Sequence, residues 1–156
     1  MRRLRRSRTR VLGVVWVLGL VAAGCAPQSP DSSSWRDQAY QSLDEVSSNV
    51  ATASLLLEQA KAGRVFGTYA QIVALNAETN AGKVTSKFSA EQPVPADSAT
   101  YQHVTKTLSD AGTVLSQVRI AVVRRDESTY PRLLRQLSAA QRQLSRVEQQ
   151  IGGRTG

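Results

Sequence analysis

From residue 35 onward, apolar side chains recur at alternating intervals of three and four, and this spacing limits what the chain can fold into. Such a repeat lays every apolar residue along one stripe of an α-helix, whereas a half-buried strand needs strict alternation. The first stripe reads Ala39, Leu43, Val46, Val50, Ala53, Leu57 and Ala60. A third reads Tyr101, Val104, Leu108, Ala111, Leu115, Val118 and Val122, and a fourth Tyr130, Leu133, Leu137, Ala140, Leu144, Val147 and Ile151. Between the first and third, residues 65–88 carry two competing patterns. One runs through Phe66, Ala70, Val73, Ala77, Val84 and Phe88, the other through Tyr69, Ile72, Asn76 and Thr79, and Gly67 and Gly82 weaken both.

Punctuation between the stripes separates four helices. Ser33 or Ser34 can cap the first by accepting a backbone N–H, and Gly63 can supply the left-handed residue that ends it near 62. Pro93 and Pro95 exclude helix from residues 89–96, after which Asp97 or Ser98 can cap the third. Arg124 and Arg125 suit the negative end of that helix, Asp126 and Glu127 begin a turn, and Ser128 or Thr129 can cap the fourth, with Pro131 in its first turn. Four amphipathic segments with short links predict an all-α, antiparallel up-down-up-down four-helix bundle over residues 35–152, with a disordered tail at 153–156. Small alanines on the seams allow close approach, and Leu, Val and Ile fill the rest.

Residues 1–34 are of another kind. Six arginines and no acid occupy the first ten positions, holding that end on the cytoplasmic side of a membrane. Thirteen apolar residues follow, at 11–23, against the about 20 that a spanning helix needs. Ala22, Ala23 and Gly24 are small enough to admit a peptidase, and the next residue, Cys25, is the only cysteine. With Leu20 and Val21 before them, these residues resemble the signal peptide and lipobox of a bacterial lipoprotein, although the third residue before the cysteine is Ala22 where that family most often has leucine. The resemblance implies cleavage between Gly24 and Cys25, two acyl chains on the Cys25 thiol, and an anchor on the extracytoplasmic face of the cell membrane. The arginine pairs do not form a twin-arginine signal, so the general secretion route is expected. Residues 26–34, APQSPDSSS, then read as a flexible tether spanning about 30 Å when extended.

Removing residues 1–24 changes what the charge says. The whole chain carries +8, but without the six leader arginines 14 basic residues face 12 acidic ones. The mature balance is +2, and with export this excludes nucleic acid as the expected partner. Residues 26–100 are acidic and 101–156 basic. Lipid on Cys25 also leaves the folded part without a disulfide, so apolar packing has to stabilise it.

Chemistry has little to stand on. His103 is the sole histidine, off its helix's apolar seam, and lacks the Glu-x-x-His spacing of di-iron bundles; no metal site and no cofactor is expected. The carboxylates at Asp44, Glu45, Asp126 and Glu127 are read as solvated, and neither Gly-x-Ser-x-Gly nor a glycine-rich phosphate loop occurs. A non-enzyme is expected. Two surface features carry more shape. Arg132, Arg135, Arg142 and Arg146 fall on the outward c and f positions of the fourth stripe, a cationic ridge suited to anionic headgroups or an envelope polyanion. Leu55 and Ile120 also fall on outward positions, where a wider apolar face is expected to absorb them, while Asn76 and Asn80 are read as surface.

Beyond the lipobox, the mature part resembles, in composition and pattern, the small helical lipoproteins of high-GC bacteria that have no assigned activity. The expected role is therefore a lipid-anchored, non-enzymatic interaction module that binds another envelope protein. The alternatives are a binder of anionic material through the fourth helix and a carrier of a small ligand in the bundle core.

Overall fold

A computed structural model describes residues 32–152, with side chains from Ser34. Four helices account for most of it: α1 (Ser32–Lys61), α2 (Gly67–Ser89), α3 (Ser98–Arg124) and α4 (Tyr130–Gly152). Single 3-10 turns at Pro95–Asp97 and Glu127–Thr129 lead into α3 and α4, and no strand occurs among the described residues. The leader, Cys25, residues 26–31 of the tether and the 153–156 tail lie outside the described residues.

The helices form an antiparallel four-helix bundle in which each packs on its sequence neighbours and α1 closes the ring against α4. Seam residues of α1, α3 and α4 are buried as their spacing predicts, with Leu43, Leu57, Leu108, Leu137 and Leu144 fully enclosed. Ala60, Tyr101 and Ala140 are partly buried against this core. Across the diagonal, α1 meets α3, whereas α2 and α4 barely touch. The reason lies in α2, whose inward residues are Ala70, Ala74, Ala77 and Ala81. A helix lined by alanine fills little of the centre, so its two neighbours converge across it.

Helix two follows the first sequence pattern except at Phe66 and departs from the second. Ala70, Ala77 and Phe88 are buried and Val73 and Val84 partly so, but Phe66 is 89% exposed, because α2 starts only at Gly67 and Phe66 precedes it as extended backbone. The second pattern lies on the wrong face: Tyr69, Ile72, Asn76 and Thr79 are exposed.

Turn chemistry explains the boundaries. Gly63 adopts φ 68°, with its N–H donating to Ala60 O at 2.9 Å and that of Arg64 to Gln59 O at 3.0 Å, so a left-handed residue closes α1 as its glycine predicts. The same motif closes α3, with Arg125 at φ 55° in the glycine's place, where Arg125 N–H reaches Val122 O and Asp126 N–H reaches Ala121 O. Three expected caps are replaced. Helix α1 begins at Ser32, so Ser33 and Ser34 fall within its first turn and the last three tether residues are helical. Asp97 precedes α3 without capping it; its carboxylate accepts from Arg36 Nη2 at 3.2 Å instead. Ser128 Oγ donates to Asp126 Oδ1 at 2.6 Å and Thr129 Oγ1 to Asp126 O at 2.8 Å, so both hydroxyls are engaged in the turn before α4.

One end of the bundle is built from aromatics. Trp35, Phe88 and Tyr101, from α1, α2 and α3, pack with ring centroids 5.5–6.4 Å apart, and the Tyr101 hydroxyl donates to Ser89 O at 2.8 Å. The Arg36–Asp97 ion pair closes over the same end, tying the start of α1 to the α2–α3 connection. Trp35 Nε1 is buried there with no partner among the described residues, a cost of about 1–3 kcal/mol that the ring packing offsets.

Candidate functional surfaces

The two long faces of the bundle differ in charge. On the α4 side, Arg132, Arg135, Arg142 and Arg146 are all exposed. None of the ion pairs Arg36–Asp97, Lys106–Asp110 and Arg119–Glu78 found among the described residues includes any of them. Arg146 Nε donates to the Arg142 carbonyl at 3.3 Å, aligning two of the four along one row. On neighbouring α1, Asp37, Asp44, Glu45 and Glu58 are exposed, so this side of the molecule carries both signs of charge. Its seam is tied by Gln141, which donates to Ser47 Oγ. Beside it, the phenol of Tyr40 is raised above its ordinary range by a hydrogen bond to Glu148, by that residue's charge, by burial and by Asp44.

The α2–α3 face is the opposite in character. Residues 65–77 contain no charged side chain, and 111–123 contain only Arg119. Arg119 donates through Nε to the Glu78 carboxylate, so the one charge of each helix in this region is neutralised within the face. Over the same stretch Phe66, Tyr69, Ile72 and Leu75 are 50–89% exposed on the α2 side, joined by Val123 at 50% and Ile120 at 38% on α3. Residues 69, 72 and 75 follow the i, i+3 row, which winds round α2 from its α1 side at Tyr69, two and a half turns from Glu78, to its α3 side at Leu75. The Glu78–Arg119 pair sets the antiparallel register, so Ile120 and Val123 lie level with Leu75.

Further along the face, beyond Glu78, the surface falls into a groove of about 470 Å³ between α2 and α3. Gly82 and Gly112 line its floor, and a Cβ at either would meet nothing within 4 Å. Glu78, Thr85 and Thr113 line it too, with Ser86, Ser89, Ser109 and Ser116. The α2–α3 side thus carries exposed Ile72, Leu75, Ile120 and Val123 and, further along, a small-residue groove.

Of the sequence-read surface residues, Leu55 at 57% and Ile120 at 38% are not absorbed into a wider core; both remain exposed, because each helix's inner stripe already fills the space between neighbours. Asn76, Asn80 and His103 are exposed, as their positions off the seams imply. Among the described residues no group of three or more His, Cys, Asp or Glu could hold a metal ion, and no helix is long and apolar enough to cross a membrane. Periodicity hides the exposed apolar residues of α2, because Tyr69 and Ile72 fall at the spacing of an inward seam. Set against protein-family models, curated proteins and solved structures, the chain matches none of them.

Proposed function

We propose that this chain is a lipid-anchored, non-enzymatic interaction module of the bacterial cell envelope, presenting its α2–α3 face to another protein there. Lipid on Cys25 anchors it to the extracytoplasmic face of the cell membrane, and the bundle carries the contact surface. One observation supports the interaction role: a stretch of both helices whose charges, Glu78 and Arg119, pair with each other exposes Ile72, Leu75, Ile120 and Val123, while the core stays closed by its own leucines. Exposed apolar area of this extent marks contact surfaces more often than it marks bare solvent-facing helix.

The two halves are tested separately. Mass spectrometry of the membrane-extracted protein should find a diacylated N-terminal Cys25, and Cys25→Ser should leave the membrane fraction; an unmodified thiol defeats the anchor. A photocrosslinker at Ile72 or Leu75 in living cells should give one defined protein adduct, which a crosslinker at Ser48 does not give. Equal, scattered adducts from all three positions would defeat the contact face. A second reading rests on the four exposed arginines of α4, which suit anionic headgroups or an envelope polyanion. It requires salt-sensitive binding to anionic vesicles that Arg135→Glu with Arg142→Glu abolishes.

A further inference from the structure

The end of the bundle formed by the α1–α2 and α3–α4 turns concentrates positive charge around an exposed aromatic ring. Residues 61–69 and 122–132 hold the cations Lys61, Arg64, Arg124, Arg125 and Arg132 against the acids Asp126 and Glu127, a balance of +3. At the other end, residues 32–37, 87–101 and 146–152 hold three basic and four acidic side chains, a balance of −1. All five cations of the first end are exposed, and none takes part in an ion pair found among the described residues. In their midst Phe66 is 89% exposed. We infer that this tip is a membrane contact: Phe66 enters the headgroup layer of a bilayer that contains anionic phospholipid, and the surrounding cations meet the lipid phosphates. The contact is independent of the α2–α3 face and shares only Arg132 with the arginine row of α4.

Placement, chemistry and charge fit that occupant. The two turns meet, because Arg125 Nη2 lies 3.9 Å from where a side chain on Gly67 would begin, one residue from Phe66. Ring and cations therefore belong to one patch. Phe66 precedes α2 as extended backbone, so no helix face turns it inward. Tyr69 follows in the first turn of α2 at 60% exposure, a ring with a polar tip of the kind that settles where membrane meets water. A soluble polyanion pairs with the cations but leaves the phenyl ring in water, whereas a headgroup layer takes up an apolar ring together with flanking lysine and arginine. Each cation near an anionic bilayer strengthens the contact about fivefold. The two acids oppose this but stand to one side: Asp126 accepts from Ser128 Oγ at 2.6 Å, and both carboxylates act on the Tyr130 phenol, so their charge lies by the start of α4.

The test uses the full chain, extracted from membranes and reconstituted into vesicles, with an environment-sensitive fluorophore on Thr68→Cys and the parent protein treated alike to give the background from Cys25. Vesicles of phosphatidylcholine with phosphatidylglycerol should brighten and blue-shift the label, and vesicles of phosphatidylcholine alone should not. The same label on Ser48→Cys, exposed at the middle of α1, should report water in both. Phe66→Ser should lower the insertion equilibrium about tenfold, and Arg64→Glu with Arg124→Glu at least about 25-fold. Helicity and melting temperature should stay unchanged in these variants, since all three side chains are exposed. Arg135→Glu with Arg142→Glu should leave the signal at Thr68 in place. No response at Thr68 overturns the inference, as does an equal response at Ser48 or in phosphatidylcholine alone. So does a response that survives Phe66→Ser and is reproduced by soluble polyphosphate, which makes the occupant a polyanion. Loss of the signal with Arg135→Glu and Arg142→Glu overturns it as well and moves the contact to the α4 row. The α2–α3 face stands or falls on the Ile72 and Leu75 crosslinks, whatever the tip does.

Discussion

Arg125 and Gly63 occupy equivalent left-handed positions at the ends of α3 and α1, and only one is a glycine. An L-residue there costs about 1–2 kcal/mol, partly offset by the greater chain entropy that glycine loses on folding. Arg125→Gly should therefore raise stability by about 0.5–1 kcal/mol, and Gly63→Ala should lower it by about 1 kcal/mol, both read from urea unfolding midpoints. An unchanged midpoint for Arg125→Gly would mean that its side chain, which lies over Gly67, contributes as much as the backbone strain costs. Tyr130 sets a pH limit. Its phenol is raised above the ordinary tyrosine value by burial first, then by the charges of Glu127 and Asp126. The folded state holds that proton more tightly than the unfolded chain, so the contribution is complete below pH 10.0 and is lost as pH rises through the folded pKa. Stability should fall with pH above about 10, and Tyr130→Phe should flatten the fall. At this scale the sequence showed Gly63 plainly. It could not show that Arg125 would take the same geometry, because only a glycine advertises a positive φ, nor that Asp97 would pair with Arg36, 61 positions away.

Helix α2 is the element whose own sequence leaves two orientations open, and the cause is physical. Its inner stripe is alanine and its outer stripe holds Tyr69, Ile72 and Leu75, so side-chain size and burial run in opposite senses. Tyr69 and Ile72 therefore compete with the inward pattern through Ala70, Val73, Ala77, Val84 and Phe88, and periodicity alone does not choose between them. The two stripes should respond oppositely to substitution. Ala77→Leu adds volume between α1 and α3 where no space exists and should cost about 1–3 kcal/mol, while Leu75→Gln on the outside should change stability by no more than about 0.5 kcal/mol. Thermal melts of the two variants check this; equal effects would mean that the inner and outer faces of α2 are misassigned. The other helices were legible because Leu, Val and Ile sit inside at three-four spacing and charges sit outside, so size, polarity and period agree.

For the whole molecule, cooperativity rests on the shared core. Leu137 is fully buried on α4, and Leu137→Asp places a carboxylate there with no partner, costing several kcal/mol, so the bundle should unfold as one unit by circular dichroism. A variant with its melting transition intact would contradict the assigned core. The sequence by itself determined the all-α class, the number of helices, the seams of α1, α3 and α4 and the glycine-closed turn, since each arises from local period and backbone preference. It also carries the lipobox resemblance at Cys25. What only the tertiary structure decided is which stripe of α2 turns inward, that α1 and α3 meet across an alanine-lined helix, and that Glu78 and Arg119 neutralise each other. These depend on what stands opposite each residue, and a helix cannot encode its neighbour's position in its own period. The same fact separates the two surfaces: the arginine ridge is visible along one helix, whereas the apolar patch and groove of the α2–α3 face exist only once two helices lie side by side.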